Sequence, residues 1–148
     1  MRIISGILKG RKIEQPNDNL TRPLKDLTKE SIFNLISHSK KFNFKMEGSR
    51  ILDVFSGTGS FGLECMSRGA SNVIFVENHL PILNVLKRNI KNFNFEKKSQ
   101  IINADLFSKN IYKIINSKCN LIFFDPPYKE RRIYNLLKQI ELAKIIEK

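Results

Sequence analysis

The sequence predicts an α/β fold built on a doubly wound parallel sheet. From residue 49 onwards, short apolar runs of strand length alternate with stretches whose apolar residues recur at helical spacing. The first apolar run leads into a glycine-rich stretch, LDVFSGTGSFG at residues 52–62, which is typical of a strand-to-helix turn beside a ligand. This alternating order favours one sheet with right-handed crossovers and a helix layer on each face.

Four apolar runs supply the predicted strands of this sheet. The last of them, NLIFFD, is apolar almost throughout and is typical of a parallel strand that is covered on both faces. The four runs are residues 50–55, 72–77, 100–103 and 120–125.

A helical pattern follows each of these strands. The first, GSFGLECMSRGA, ends near Gly69, and the second begins with Asn78 as its N-cap and Pro81 in its first turn. A third surrounds residues 111–115, and the last extends from residue 132 to residue 148. The apolar residues expected to face the core in the second and last helices are Leu83, Leu86 and Ile90, and Ile133, Leu136, Leu137 and Ile140.

Residues 1–45 predict a small basic extension in front of the sheet. The segment MRIISGILKGRKI predicts a short β-hairpin with glycines at its turns, and a helix begins near Asp26. We expect one domain over residues 1–148, in which the extension is attached to a core of residues 49–148. The expected buried face of the extension's helix carries Ile32, Leu35 and Ile36.

The chain is strongly basic, with 26 Lys and Arg against 14 Asp and Glu and a formal net charge of +12. This charge favours an anionic partner such as nucleic acid. The first 50 residues hold 11 of the basic and 5 of the acidic residues, so the extension is more basic per residue than the rest. A general preference of the source for Lys, Asn and Ile would give the same charge without a function, and this alternative stays open.

The two cysteines, Cys65 and Cys119, are far apart in apolar surroundings and form no C-x-x-C pair. We therefore expect neither a disulfide nor a metal site. The N-terminus has no apolar leader, and no apolar run is long enough to span a bilayer. These features predict a cytoplasmic protein that does not enter a membrane.

Gly57, Gly59 and Gly62 match the G-x-G-x-x-G pattern of dinucleotide-binding turns, and Glu77 follows at the distance expected of a ribose-binding acid. Asp53 argues against a dinucleotide, since a carboxylate four residues before Gly57 would repel a pyrophosphate. S-adenosylmethionine instead carries an ammonium and a sulfonium, for which a carboxylate is a favourable partner. We expect the glycines to let the backbone approach that cofactor closely.

An acidic residue stands at or near the end of every predicted strand. Because the carboxyl ends of parallel strands form the ligand-binding edge of such sheets, we expect Glu77 to bind both ribose hydroxyls and Asp105 the adenine amine. A carboxylate after a strand also commonly caps the next helix, and for each acid taken alone this alternative stays open. The four acids are Asp53, Glu77, Asp105 and Asp125.

The stretch DPPY, residues 125–128, directly follows the fourth predicted strand. Two prolines in this place can simply end the strand and stiffen the turn. The combination also suits methylation of an exocyclic amine on a base, because Asp125 and the Pro126 carbonyl would accept its two hydrogens. Pro127 would hold these acceptors in place, and Tyr128 would stack on the base.

The sequence resembles the class I S-adenosylmethionine-dependent methyltransferases and, more narrowly, the RsmD family of small-subunit (16S) ribosomal RNA guanine-N2 methyltransferases. The glycine stretch and DPPY are shared with DNA amino-methyltransferases, whereas two N-terminal segments narrow the resemblance to RsmD. The matching segments are MRIISGILKGRKI, TRPLKDLTKESIFNLI, LDVFSGTGSFGLECMSRGA, VIFVE, NAD and LIFFDPPY.

The resemblance implies a Rossmann-like class I methyltransferase sheet, S-adenosylmethionine as the cofactor, and a guanine in ribosomal RNA as the substrate, free or within a small-subunit particle. It also places Thr21 and Arg22 near the cofactor. The implied cofactor contacts are Asp53, Gly57, Gly59, Glu77 and Asp105, and the implied catalytic residues are Asp125, Pro126, Pro127 and Tyr128.

Two groups of basic residues are expected to bind RNA. The group in the extension would hold backbone phosphates, and the group after DPPY would meet the phosphates that flank an unstacked base. An ordinary solvated face is the alternative for both groups. The residues are Arg2, Lys9, Arg11 and Lys12, and then Lys129, Arg131 and Arg132.

The family continues beyond the fourth strand with further strands, whereas this sequence ends at residue 148 within a predicted helix. We therefore expect the C-terminal strands to be missing and the edge of the fourth strand to be open. Two alternative functions stay open, a DNA or other amino-methyltransferase and a nucleic-acid-binding module of the same fold without catalysis. A nicotinamide-dependent oxidoreductase is a third.

Overall fold

Four strands of the computed structural model form one parallel sheet: β1 (Arg50–Val54), β2 (Asn72–Glu77), β3 (Ser99–Asn103) and β4 (Leu121–Phe124). Their order across the sheet is β3-β2-β1-β4. Within the sheet, the chain starts at the central strand β1, continues outwards through β2 and β3, and returns to place β4 on the other side of β1. This is the doubly wound topology that the sequence predicts. The structure describes residues 1–16, 26–38, 44–108, 115, 117–127 and 130–146.

Side chains alternate between the two faces of β1 and β2 and fill two separate cores. Ile51 and Phe75 point to the core that contains the extension and the helices after β1 and β2. Leu52 and Ile74 point to the core on the opposite face, where Leu136 of the last helix packs. Both faces of the central strands are therefore covered, which explains why these strands are apolar throughout.

The strand β4 is less covered than its sequence predicts. Each of its residues is half-buried, although the run LIFF has no polar residue. Its one strand neighbour among the described residues is β1, and on its other side Cys119 forms a parallel bridge with Ile146. An apolar run shows that a strand is able to be buried, but the extent of its burial depends on the strands and helices that pack against it.

In the part of the chain that the structure describes, three α-helices follow strands of the sheet: α2 (Ser60–Ser67), α3 (Leu80–Asn92) and α4 (Ile133–Leu142). The helix α1 (Asp26–His38) belongs to the extension. The predicted buried face of α3 is confirmed, with Leu83, Leu86 and Ile90 at most 3% exposed. The predicted helix around residues 111–115 lies mostly outside the described residues.

Two predicted helix ends are wrong. The N-cap of α3 is His79 and not Asn78, since the helix begins at Leu80. The Glu77 carboxylate accepts the N–H groups of Asn78 and His79, which precede the helix. The last helix ends at Leu142 and not at residue 148. The Cys119 N–H donates to the Ile145 carbonyl, so the residues after the helix lie beside the chain that leads into β4. In α4, Leu136 and Ile140 are buried as predicted, whereas Leu137 is 47% exposed and does not belong to the buried face.

The extension contains the predicted hairpin and the helix α1. Arg2 and Lys12 form an antiparallel bridge, and the Ile3 N–H donates to the Arg11 carbonyl. In α1 the predicted burial of Leu35 is wrong, since this side chain is 66% exposed. The residues that α1 does bury are Lys29 and Phe33, with Phe33 stacked on Phe61 of α2. Ile32 and Ile36 are partly buried against the same core, so the predicted face is wrong only at Leu35. Lysine counts as polar in a helical pattern, and for that reason Lys29 is missing from the predicted face.

No helix in the described part of the chain is long and apolar enough to cross a membrane.

Candidate functional site

A glycine turn joins the central strand β1 to α2 at the carboxyl edge of the sheet. Gly59 precedes the helix in the left-handed conformation (φ 84°), which residues with a Cβ adopt at a cost. Its N–H donates to the Ser56 carbonyl, and the Ser56 N–H donates to the Val76 carbonyl of β2. Gly62 lies in the first turn of α2, where a Cβ would overlap the Phe75 ring. The turn thus brings α2 close to β2 and leaves backbone at the edge of the sheet.

Asp53 is buried beside this turn. It lies within β1, is 1% exposed, and its Oδ2 accepts the Gly62 N–H at 2.9 Å. The pKa of Asp53 is raised from its ordinary 3.8 to about 7, chiefly by burial; the Gly62 N–H lowers it, and the negative charges of Asp125 and Glu77 add to the rise. Because β2 and β4 flank β1, Asp53 within β1, Glu77 at the end of β2 and Asp125 directly after β4 lie along the same edge of the sheet.

Glu77, the last residue of β2, holds the turn from the other side. Its Oε2 accepts the Gly57 N–H at 2.9 Å, and its Oε1 accepts the N–H groups of Asn78 and His79, each at 2.9 Å. A carboxylate offers about four acceptor positions, so about one position, on Oε2, is left for a ligand. The geometry therefore has room for one ribose hydroxyl at Glu77, where the sequence suggested two.

Asp105 follows β3 and caps a short turn. Its Oδ1 accepts the Phe107 N–H at 2.9 Å, and its carbonyl accepts the Ser108 N–H. Capping is thus an observed role of this side chain. The second carboxylate oxygen, Oδ2, has no hydrogen bond within the part of the chain described here.

Three phenylalanines cluster near the strand ends, at the margin of the core that contains Leu136, and sequence reasoning missed them. The rings of Phe55 and Phe107 stack with centroids 5.3 Å apart, and Phe124 meets Phe55 edge-on at 5.3 Å. Phe55 itself has a positive φ of 60°, which is strained for an aromatic residue. A signal was present, since each ring stands one or two residues from a strand-end acid. These rings give the acidic edge an apolar wall.

Asp125, the first residue after β4, is exposed. Its backbone N–H lies 3.5 Å from the Val54 carbonyl and extends the pairing of β4 with β1. The protein atoms around its carboxyl partly exclude water, which raises the pKa of Asp125 above its ordinary value. Pro126 is half-buried and Pro127 is exposed, and the Pro127 carbonyl accepts the Glu130 N–H. The predicted sites Tyr128, Thr21 and Arg22 lie outside the described residues.

The basic residues predicted to bind RNA differ in how they are engaged. Lys9, Lys12 and Arg131 are exposed, and Arg2 is exposed with its Nε 3.7 Å from the Asp26 carboxylate. The Arg11 guanidinium donates to the Asn92 carbonyl and lies over the Phe93 ring. Lys129 lies outside the described residues.

Arg132 is tied to its own neighbourhood. It forms a two-pronged pair with Glu130, at 2.8 and 2.7 Å, and lies over the Phe107 ring. The Arg132 guanidinium lowers the pKa of Glu130 to about 2. Arg132 is therefore less free for a phosphate than Arg131 is. In the described residues, no group of three or more His, Cys, Asp or Glu could hold a metal ion.

The strand order β3-β2-β1-β4, the glycine turn after the central strand and the acids at the strand ends define a class I S-adenosylmethionine-dependent methyltransferase fold. A solved Escherichia coli structure described as "Putative methyltransferase yhhF" has this fold. It superposes with a TM-score of 0.81 at 23% identity, over 99% of this chain and 75% of that one.

The amino-acid sequence is similar to those of one protein family. A family model described as "Conserved hypothetical protein 95" matches residues 1–148. The Bacillus subtilis "Putative rRNA methyltransferase YlbH" is 35% identical over 149 residues, covering 99% of this chain and 77% of the relative. The "Ribosomal RNA small subunit methyltransferase D" of Buchnera aphidicola is 34% identical over 150 residues, covering 99% and 72%. The chain belongs to this family, which is the RsmD family of S-adenosylmethionine-dependent methyltransferases.

Proposed function

We propose that this chain transfers the methyl group of S-adenosylmethionine to the exocyclic N2 amine of a guanine in small-subunit ribosomal RNA. The observation that carries the proposal is the placement of Asp53, Glu77 and Asp125 at the ends of three adjacent strands, with Asp53 and Glu77 bound to the backbone of the glycine stretch. Ribosomal RNA as the substrate is supported by the names of the Bacillus and Buchnera relatives and by the net charge of +12.

The described residues fit this cofactor. A Cβ built on Gly57 would meet no atom within 4 Å, so there is open space beside the turn. Glu77 would accept one ribose hydroxyl there, and Asp105 would accept the adenine amine through its second oxygen. Asp53 is buried, so its part is to hold Gly62 and to add negative charge beneath a cationic ligand. Thr21 and Arg22 stay predicted cofactor neighbours.

The cofactor supplies an electrophilic methyl group on a sulfonium. The protein has to present the amine, whose lone pair is delocalised into the base. The Asp125 carboxylate and the Pro126 carbonyl would accept its two hydrogens and turn the lone pair towards the methyl group. Pro127 stiffens this pair of acceptors, and Tyr128 would supply a stacking face. Once methylated, the cationic amine loses its proton to Asp125, whose raised pKa suits this step, or to water.

The target base has to leave its stack to reach Asp125, as bases in RNA loops do at low cost. We propose that the flanking phosphates bind the exposed cations of the hairpin and Arg131. Lys129 would join them. Arg11 and Arg132 would contribute charge while keeping their present partners. The expected compartment is the cytoplasm, and the expected substrate is free rRNA or a small-subunit particle.

A tritiated-methyl transfer assay tests the proposal. The substrates are undermethylated small subunits, naked small-subunit rRNA and DNA, and digestion to nucleosides identifies the product. We expect N2-methylguanosine in rRNA from the wild-type chain, and a loss of about 100-fold or more for Asp125→Ala. Glu141→Gln removes an exposed carboxylate on α4 and is the matched control.

Three outcomes would contradict parts of this proposal. Label in DNA alone would refute RNA as the substrate. Equal transfer by Asp125→Ala and the control would refute the role of Asp125. Calorimetry that shows tight NAD binding and no binding of S-adenosylhomocysteine would refute the cofactor.

A further inference from the structure

A buried asparagine connects the extension to the glycine turn. Asn89 of α3 is 1% exposed, and its Nδ2 donates to the Thr58 carbonyl and to the Glu14 carbonyl, each at 3.0 Å. Its Oδ1 accepts the Glu14 N–H at 2.8 Å. One amide group thus binds both polar backbone atoms of Glu14, directly after the hairpin, and a carbonyl in the middle of the turn.

A buried lysine makes a second, independent connection. Lys29 of α1 has no exposed side-chain surface, and its Nζ donates to the Arg2 carbonyl at 2.7 Å and to the Ser60 hydroxyl at 3.3 Å. The same ammonium lies 3.4 Å from Oε2 of Glu64, which is also fully buried. Lys29 therefore joins the first strand of the hairpin to the first residue of α2.

Glu64 fastens the hairpin at a third point. Its carboxylate accepts the N–H groups of Ile4 and Ser5, at 2.7 and 2.9 Å, and the Arg68 Nε at 2.8 Å. Buried charges of this kind stabilise a fold little more than apolar side chains of the same size would. What they add is directional, because each bond requires its partner in one position.

The two connections end on either side of Gly59. Thr58 precedes this glycine and Ser60 follows it, while the atoms at the other ends belong to Arg2 of the hairpin and to Glu14 directly after it. Within the turn the Gly59 N–H donates to the Ser56 carbonyl, whereas the Thr58 carbonyl and the Ser60 hydroxyl are bound from outside it, by Asn89 and Lys29. The hairpin is thus attached to the backbone that would meet the cofactor.

We propose that Lys29 and Asn89 are positioning residues of the cofactor site, which hold Thr58 and Ser60 in the binding conformation by anchoring them to the N-terminal hairpin. The identity of the cofactor in this inference rests on the proposed function. The anchoring itself does not.

Hydrogen exchange of the unliganded full chain tests the anchoring. In Asn89→Leu and in Lys29→Met, we expect amides of residues 57–60 to exchange about tenfold faster relative to those of β2 than in the wild type. S-adenosylhomocysteine is expected to bind about tenfold more weakly to both variants. The control is Ile90→Ala, which opens a cavity beside α3, the helix of Asn89, without removing a hydrogen bond to the turn. In this variant we expect the relative exchange rate of residues 57–60 and the affinity for S-adenosylhomocysteine to stay within about twofold of wild type.

Unchanged exchange at residues 57–60 in a folded Asn89→Leu or Lys29→Met chain would overturn the inference, as would equal acceleration in the Ile90→Ala control. If Asn89→Leu does not fold, Lys29→Met decides, because it acts from the other helix. If the wild-type chain does not bind S-adenosylhomocysteine, the proposed cofactor is wrong, and the exchange measurement still decides whether the turn is anchored in this way.

Discussion

Asp53 is a buried residue of β1 whose carboxylate binds the backbone after the glycine turn. Its place before the glycines predicts a partner for a cationic cofactor, and the structure puts its carboxylate against the Gly62 N–H with 1% exposure. A buried carboxylate with one backbone donor and two acidic neighbours is held at a pKa of about 7. Its charge therefore depends on pH in the neutral range, which the sequence alone could not indicate.

The stability of the chain should reflect this shifted pKa. The neutral form of Asp53 is favoured by folding, since its pKa rises from 3.8 to about 7, so its contribution to stability falls between about pH 4 and pH 7 and is constant above. Asp53→Asn keeps an acceptor for Gly62 and carries no charge. We expect the free energy of unfolding of Asp53→Asn, relative to wild type, to rise by about 1–3 kcal/mol from pH 5 to pH 8. Urea unfolding at both pH values measures this, and a difference that does not change with pH would show that Asp53 titrates normally.

At the scale of elements, the hairpin is packed into the fold as tightly as a helix. Its turn is bound to the end of α2, where the Ile7 N–H donates to the Ser67 carbonyl and the Leu8 N–H to the Ser67 hydroxyl. Ile3 and Ile13 belong to the core between the sheet and α2. The basic residues of the hairpin are therefore presented on a rigid support.

Two glycines of the hairpin provide a matched pair for testing this packing. Gly6 and Gly10 have nearly equal φ, 82° and 86°, but a Cβ on Gly6 would overlap the Ser67 carbonyl, whereas one on Gly10 would meet nothing within 4 Å. We expect Gly10→Ala to lower the free energy of unfolding by about 1–2 kcal/mol, from backbone strain alone. Gly6→Ala should cost about 2 kcal/mol more, because the turn must also move away from α2. Equal losses in urea unfolding would mean that the turn does not pack on Ser67.

At the scale of the whole molecule, the acidic and the basic residues are concentrated in different places. The acids near the glycine turn belong to β1, β2 and the end of β4, whereas many of the exposed cations predicted to bind RNA lie on the hairpin. A cationic cofactor and an anionic RNA can therefore be attracted to separate parts of one chain.

The salt dependence of RNA binding distinguishes contacts by particular basic residues from general attraction by the net positive charge. We expect Lys9→Ala and Lys12→Ala each to weaken binding of a single-stranded rRNA fragment and to reduce the slope of log Kd against log salt by about 0.7. Lys97→Ala also removes one positive charge, but Lys97 lies directly before β3, at the amino ends of the strands and away from the carboxyl edge that carries the acids. This variant should change the slope less. Filter binding at several salt concentrations measures the slopes. Equal effects of all three changes would indicate attraction by net charge alone.

Sequence periodicity was sufficient for the regular elements. The order of strands and helices, the glycine turn and the strand-end acids all follow from local spacing, because strands and helices have fixed periods and parallel strands end at one edge. Two exceptions are the N-cap of α3, which is His79 instead of Asn78, and the burial of Lys29, which depends on Glu64 in another helix.

The sequence by itself therefore determined the fold class, the position of the ligand-binding edge and the residue types along it. Tertiary structure alone decided what those residues touch: Asp53 and Glu77 bind the turn, the phenylalanines form a wall, and Lys29 and Asn89 join the hairpin to Thr58 and Ser60. The physical reason is that hydrogen bonds and burial depend on groups far apart in the chain, whose approach no local pattern encodes.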